Sequence, residues 1–177
     1  MLYIFTGNGK GKTTSALGQA MRAVGEGKRV LMVQFIKGPW ASGEDNIVIS
    51  HPEQPAGVFK LVKMGKGFVG ILDDNLPREE HEKAAQDALG FAQKEALSGN
   101  WDILILDEVN NAVSLGLIKI SDVLNFLQVT SHHLQASILT GRDAPQEFIE
   151  RADLVTEMRE VKHQYNEGKK ARRGLEY

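Results

Sequence analysis

The chain has 177 residues, of which 42% are hydrophobic, and a formal net charge of -2. So small a net charge gives no reason to expect general attraction to nucleic acid or to a membrane surface. The absence of cysteine excludes disulfides, thiolate metal sites and cysteine nucleophiles. No apolar run could span a bilayer and the N-terminus reads as a strand, not a signal peptide, so we expect a cytoplasmic protein. The length predicts a single domain over residues 1–177.

The first predicted element is an apolar strand over residues 2–5, which leads into a phosphate-binding loop (P-loop). Small residues let backbone N–H groups converge on phosphate oxygens, and the helix that follows presents its positive N-terminal end. In this pattern the lysine reaches the phosphates and the next hydroxyl can hold Mg²⁺. A chance glycine loop is the alternative, but the order of strand, loop, Lys-Thr and helix favours nucleoside triphosphate binding. The predicted nucleotide-binding residues are Gly7, Asn8, Gly9, Lys10, Gly11, Lys12, Thr13 and Thr14.

The rest of the chain alternates apolar strand patterns with helical ones. Strands are predicted at 30–36, 58–62, 101–106, 136–139 and 154–158, and a glycine-rich loop at 64–70. Helices are predicted after the P-loop, at 77–97, at 121–131 with Ser121 as N-cap, and after 145 with Asp143 as N-cap. The first helix should bury Ala16, Leu17, Ala20, Met21 and Val24. This pattern predicts an α/β fold, a mostly parallel sheet with helices on both faces, of P-loop NTPase (RecA-like) architecture.

Charged residues at the predicted strand ends indicate where the chemistry occurs, because ligands of such folds bind at the carboxyl ends of the strands. Asp107 and Glu108 end an apolar strand that we expect next to the P-loop strand, so they are predicted to hold Mg²⁺ (or Mn²⁺). The alternative is that both acids only cap the strand. Lys37 and Arg142 lie on strand-end loops, where each would either stabilise triphosphate charge or be solvated.

Several local motifs together resemble the P-loop family of corrinoid adenosyltransferases. They occur in order over nearly the whole chain, at 5–14, 33–38, 101–108, 139–142, 152–159, 161–163 and 169–177. The resemblance implies transfer of the 5′-deoxyadenosyl group of ATP to a Co(I) corrinoid (cobalamin or cobyrinic acid a,c-diamide) in adenosylcobalamin biosynthesis or salvage. The triphosphate would be the leaving group and the reduced cobalt the nucleophile, so no protein nucleophile or general base is needed.

The resemblance also assigns roles to individual residues. By the family's pattern Thr13 and Glu108 are metal ligands, with Asp107 in support. Lys10, Lys12 and the loop amides would stabilise the departing triphosphate, and Asn8, Gly9 and Thr14 would contact phosphate oxygens.

Phe68 matches a family aromatic that excludes the lower axial ligand of cobalt, which makes Co(II) easier to reduce. Well-known members carry a tryptophan two residues later, where this chain has Gly70. We therefore expect Phe68 to act alone or with Val69 or Ile71, the alternative being a simple core residue. With Lys12 and Glu108, Phe68 completes the predicted catalytic set.

The partners implied by the resemblance are ATP, a reduced corrinoid, an electron-donating flavoprotein and a second copy in a homodimer. The basic tail over 162–174 has apolar anchors at Tyr165, Leu175 and Tyr177, so it would dock near an anionic ligand unless it is simply solvated. Two other functions compete. A general P-loop ATPase or nucleotide kinase would act at the γ-phosphate and release ADP, and a non-catalytic corrinoid or nucleotide carrier would bind without turnover.

Overall fold

The computed structural model describes residues 1–38, 40–50, 53, 57–71, 74–164, 168 and 170–175. The predicted tail anchors Tyr165 and Tyr177 lie outside the described residues.

A parallel six-stranded sheet forms the centre of the described chain, in the order β3-β2-β4-β5-β1-β6. The strands are β1 Leu2–Thr6, β2 Arg29–Gln34, β3 Val58–Lys63, β4 Ile103–Asp107, β5 Ala136–Thr140 and β6 Leu154–Glu157. The helices are α1 Lys12–Gly25, α2 Arg78–Leu97, α3 Val109–Ser114, α4 Ile120–Thr130 and α5 Gln146–Arg151, with a 3₁₀ turn at Gly43–Asn46. These elements confirm the predicted α/β fold of P-loop NTPase type.

Two apolar clusters cover the two faces of the sheet. One joins α1 to the sheet through Ala16, Ala20 and Val24. The other contains the alanine stripe of α2 and Phe126 of α4. Small side chains on α2 let the helix lie close to the strands, so burial of apolar surface holds both layers in place. No helix in the described ranges combines the length and apolarity that a bilayer crossing requires.

Two expectations about packing were wrong. The strand that carries Asp107 does not pair with the P-loop strand, because β5 lies between β4 and β1. Met21 of α1 is 62% exposed, since the buried stripe turns toward Ala23. The edge strand β6 is exposed along its whole length.

The helix starts also differ from the prediction. Helix α4 begins after Lys119 and α5 after Pro145, so neither Ser121 nor Asp143 is the N-cap. Helix α3 was not predicted, because its six residues are too few to show a helical period. It follows Glu108 directly, which places the second acid of the pair at the junction between β4 and a helix.

Candidate active site

The P-loop packs against the chain that follows the edge strand β6. Gly7 and Gly11 adopt positive φ values of 96° and 125°, which favour glycine. A Cβ at Gly7 would lie 2.5 Å from the Met158 carbonyl oxygen, and one at Gly9 would lie 2.8 Å from it. The Gly9 N–H donates to that same oxygen at 2.6 Å. The glycines are therefore required by backbone packing as well as by the turn.

Lys12 occupies the centre of the loop. Its side chain is buried, and Nζ donates to the carbonyl oxygens of Gly7 and Gly9, both at 2.8 Å. Burial lowers the pKa of Lys12, an effect that the neighbouring acid Glu108 opposes. The ammonium group thus sits within the ring of loop backbone groups, where a phosphate would be bound.

Asp107 connects three strand ends beneath the loop. Its fully buried carboxylate accepts hydrogen bonds from Thr13 Oγ1 (2.9 Å), Thr140 Oγ1 (2.6 Å) and Gln34 Nε2 (2.9 Å). A buried carboxylate needs such donors, because desolvation without them would be costly. The structure therefore brings together Thr13 and Asp107, two of the three predicted metal residues, although the P-loop strand β1 does not neighbour β4.

Glu108 directly follows Asp107 and lies on the wall of the cleft. It takes a left-handed conformation with φ 64°, and its N–H donates to Thr140 Oγ1 at 3.0 Å. A non-glycine residue in this region is uncommon and is found more often at functional sites. Burial, with a smaller contribution from the charge of Asp107, raises the pKa of Glu108 to about 7. A nearby cation would favour its ionised form.

These residues surround a cleft of about 660 Å³. Of the predicted site, the cleft is lined by Asn8, Gly9, Lys10, Gly11, Lys12, Thr13, Thr14, Lys37, Glu108 and Arg142. Gly7 and Asp107 are not lining residues, but their oxygens bond to Lys12 and Thr13. Phe68 is likewise not on the cleft wall.

Sequence reasoning missed Glu44, which lies on the cleft wall. Its carboxylate pairs with Lys37 Nζ and accepts a long hydrogen bond from Gln34 Nε2 at 3.4 Å. Although burial alone would raise the pKa of Glu44, the hydrogen bond from Lys37 brings it below its ordinary value. A run of hydrogen bonds therefore links Lys37 through Glu44 and Gln34 to Asp107. A polar residue at the end of an apolar strand was a signal for Gln34, whereas Glu44 lies in the 3₁₀ turn Gly43–Asn46 and no sequence pattern marked it.

Part of the C-terminal tail lies against the P-loop. Glu160, His163, Gly174 and Leu175 line the same cleft. Lys10 Nζ donates to the Leu175 carbonyl oxygen, so the tail contacts a predicted phosphate-binding lysine directly.

Phe68 lies on the surface, not in the core. It is 45% exposed and stacks on Trp40, with ring centroids 5.8 Å apart and an interplanar angle of 28°. The core-residue alternative for Phe68 was therefore wrong.

Comparison with known proteins decides the family. The family model described as ATP:corrinoid adenosyltransferase BtuR/CobO/CobP matches residues 1–177. The chain belongs to this family. A corrinoid adenosyltransferase of Escherichia coli (strain K12) is 39% identical over 177 residues, covering 100% of this chain and 85% of the relative. The corrinoid adenosyltransferase CobA of Salmonella typhimurium (strain LT2) is 37% identical, with 100% and 85% covered, and one from Pseudomonas aeruginosa is 36% identical, with 100% and 83%.

Family membership confirms the resemblance that the motifs indicated. The site of this adenosyltransferase supplies a hydroxyl on Thr13 and carboxylates on Asp107 and Glu108, and oxygen donors of this kind suit Mg²⁺. The described residues contain no group of three or more His, Asp or Glu side chains that could form a metal cage. The residues present therefore fit a metal that takes its other ligands from phosphate oxygens and water.

Proposed function

We propose that this protein transfers the 5′-deoxyadenosyl group of ATP to the Co(I) centre of a corrinoid and releases triphosphate. The observation that carries the proposal is the match of the adenosyltransferase family model to residues 1–177. The P-loop cleft supports it, because the cleft combines a buried lysine, a hydroxyl and two acids at strand ends. The family match disfavours the two competing functions, hydrolysis or transfer at the γ-phosphate and passive carriage.

In the proposed reaction the cobalt supplies both electrons of the new bond. Co(I) attacks the ribose 5′ carbon of ATP, the Co–C bond forms, and the C5′–O bond breaks. The electron pair of the broken bond leaves with the triphosphate, and the cobalt becomes formally Co(III). Because the nucleophile belongs to the substrate, the protein contributes placement and stabilisation of the leaving charge.

The residues of the P-loop would perform that stabilisation. Lys12 Nζ lies among the loop carbonyls of Gly7 and Gly9, within reach of the place where loop amides converge. There it would hold the departing triphosphate, with Lys10 at the rim. Asn8, Gly9 and Thr14 would contact phosphate oxygens, and Lys37 and Arg142 would add positive charge on the facing walls.

Mg²⁺ (or Mn²⁺) would be held by Thr13 and Glu108, with Asp107 in support. When bound, the ion supplies positive charge to the triphosphate oxygens. Asp107 would orient the Thr13 hydroxyl through their 2.9 Å hydrogen bond. Glu108, with its pKa raised to about 7, would be kept ionised by the cation.

An anaerobic assay with Mg-ATP and chemically reduced Co(I) cobalamin tests the proposal. It follows the Co(I) absorbance and identifies the phosphate product. Loss of the Co(I) band, a light-sensitive product and intact triphosphate would support the transferase. ADP and phosphate with an unchanged Co(I) band would contradict it, and stoichiometric binding without turnover would indicate a carrier.

The remaining partners stay predictions from the resemblance. We propose a homodimer, which sedimentation would test, and an electron-donating flavoprotein, which would replace the chemical reductant in the assay. The single domain and the cytoplasmic location also stay predictions, the first from the length of the chain and the second from its lack of an apolar run or signal-peptide pattern.

A further inference from the structure

We propose that Asn111 is a positioning residue, which places Arg142 for the triphosphate by accepting a hydrogen bond from the Arg142 backbone N–H. The inference rests on the proposed function and deepens it, because it concerns how the phosphate side of that site is held together. The sequence motifs did not mark Asn111, which lies in the short helix α3.

Two loops at neighbouring strand ends meet at this point. Helix α3 follows β4, the turn that carries Arg142 follows β5, and β4 pairs with β5 in the sheet. Asn111 Oδ1 accepts a hydrogen bond from the Arg142 N–H at 2.8 Å. Next to it, Asn110 Nδ2 donates to the Gly141 carbonyl oxygen at 3.3 Å. The first turn of α3 therefore holds the turn after β5 through two consecutive asparagine side chains.

The contact between α3 and this turn is too close for any residue but glycine at position 141. Gly141 has a φ of 131°, which favours glycine. A Cβ at Gly141 would lie 2.5 Å from Asn111 Oδ1 and 2.9 Å from the Asn111 backbone nitrogen. The missing side chain lets the asparagine oxygen approach the next amide along the chain, which belongs to Arg142.

The turn after β5 also contains a residue in an unfavourable backbone conformation. Asp143, directly after Arg142, has a φ of 52°, and a non-glycine residue persists in this region only where its surroundings hold it. On the far side of the turn the Ala144 N–H donates to Thr6 Oγ1 at 3.2 Å. On the near side the bond to Asn111 acts on Arg142 itself. Loss of that bond would let the turn relax at the residue whose side chain lies in the cleft.

The position of Arg142 matters because its side chain is exposed and lines the same cleft as Lys12 and Glu108. A guanidinium group binds phosphate oxygens through directional N–H bonds, and a long side chain loses conformational freedom when it does so. An anchored backbone lowers that entropic cost. The anchor thus favours a role for Arg142 on triphosphate charge over simple solvation.

The alternative is that Asn111 serves only its own helix. Its Oδ1 accepts a bond from a residue 31 positions away, in another loop. A hydrogen bond that belongs to the helix is available for comparison, because Ser114 Oγ donates to the Asn111 carbonyl oxygen at 3.1 Å. Ser114→Ala removes this bond of α3 and leaves the contact with Arg142, so it is a matched control.

The test is a double-mutant cycle on the binding of inorganic triphosphate with Mg²⁺, measured by isothermal titration calorimetry. It uses the full chain and compares the wild type with Asn111→Ala, Arg142→Ala and the double variant. Arg142→Ala should weaken binding by about 30-fold, as expected for lost hydrogen bonds to a charged group, and Asn111→Ala by about fivefold. The double variant should bind as weakly as Arg142→Ala and no more weakly, because no guanidinium remains to be placed. Ser114→Ala should bind as the wild type does.

Three results would overturn the inference. One is an unchanged affinity in Asn111→Ala. Another is a double variant that is weaker than Arg142→Ala by the full fivefold, which would show that Asn111 acts independently of the arginine. The third is an equal loss in Ser114→Ala, which would assign the effect to helix α3 as a whole. Urea unfolding of each variant checks that the protein is folded under the binding conditions.

Triphosphate binding separates failure of this inference from failure of the proposed function, because it requires no cobalt. A wild type that binds triphosphate, with the expected cycle, but converts no Co(I) would contradict the transferase and leave the role of Asn111 standing. A wild type that converts Co(I), together with an unaffected Asn111→Ala, would contradict the inference alone. A wild type that binds no triphosphate would contradict the phosphate site and the inference with it.

Discussion

The phosphate side of the cleft and the stacked aromatic pair of Trp40 and Phe68 are built in opposite ways. On the phosphate side Asp107 is fully buried and accepts hydrogen bonds from three side chains. In the aromatic pair both rings are about half exposed, and a stacking contact joins them. A small, highly charged group is recognised by fixed, short-range donors, whereas a large flat one is recognised by contact area. Substitutions on the first side should therefore affect turnover, and those on the second should affect corrinoid handling.

The largest effect is expected at the centre of the P-loop. Lys12→Ala should lower kcat/KM by about 10³-fold, because a preorganised charge on the leaving group is lost. The anaerobic Co(I) assay measures it, with the exposed helical residue Lys94 replaced by alanine as a control of matched chemistry. Activity of Lys12→Ala within tenfold of the wild type would mean that the lysine does not act on the triphosphate.

A pair of variants at Asp107 should separate charge from hydrogen bonding. Asp107→Ala leaves the Thr13, Thr140 and Gln34 donors unpaired and should cost about 2–3 kcal/mol of unfolding free energy. Asp107→Asn should cost less, about 1 kcal/mol, because its Oδ1 can still accept from Thr13 and Thr140, while Gln34 can rotate its amide to present Oε1 to the new Nδ2 at the loss of its long bond to Glu44.

Both Asp107 variants should lower activity by about 10²-fold at limiting Mg²⁺, since each removes the carboxylate. Urea unfolding measures the change in stability, and a titration of the reaction rate with Mg²⁺ measures the change in activity. Equal destabilisation by alanine and asparagine would contradict the proposed rotation of Gln34.

In the aromatic pair, Phe68→Ala should affect the reaction of one oxidation state of the corrinoid. Adenosylation that starts from Co(II) should slow by about tenfold, on the scale of one lost aromatic contact, while adenosylation of chemically reduced Co(I) should be spared. Thermal unfolding should hardly change, because Phe68 is 45% exposed. Equal loss in both assays would contradict a role in excluding the lower axial ligand.

The smallest effect is expected at the ion pair of Arg29 and Asp102, which lies far from both regions. Asp102 accepts hydrogen bonds from the Arg29 backbone N–H (2.8 Å), Nε (3.1 Å) and Nη2 (2.8 Å), and the bond from the guanidinium lowers the pKa of Asp102. Asp102→Asn should therefore cost about 1 kcal/mol at pH 7, since the pair is partly exposed.

A lowered carboxyl pKa contributes stability above its unfolded value of about 4 and loses it as the pH falls through the lower folded value. The stability difference between the wild type and Asp102→Asn should therefore shrink below about pH 4, which urea unfolding at several pH values measures. A difference that stays constant down to pH 2 would show that the charge of Asp102 contributes nothing.

The sequence predicted those features that a short segment determines. The P-loop, the apolar strands and the acid pair at 107–108 are local patterns, and the family that they indicate is confirmed by the whole-chain match. The hydrogen bonds from Gln34 and Thr140 to Asp107 could not be predicted, because they depend on the order of β2, β4 and β5 in the sheet. The contact between Trp40 and Phe68 likewise requires the pairing of β2 with β3. The individual roles of the site residues stay predictions.

The contact between Gly9 and the Met158 carbonyl links the P-loop to a strand that pairs with β1 alone. An exposed edge strand is a segment that opens by local unfolding at low free energy. Each opening of β6 would remove the acceptor that holds the Gly9 amide, so the loop and the edge strand should exchange amide hydrogens together. Nucleotide bound at the loop should then slow exchange in Leu154–Glu157, although the ligand touches none of these residues.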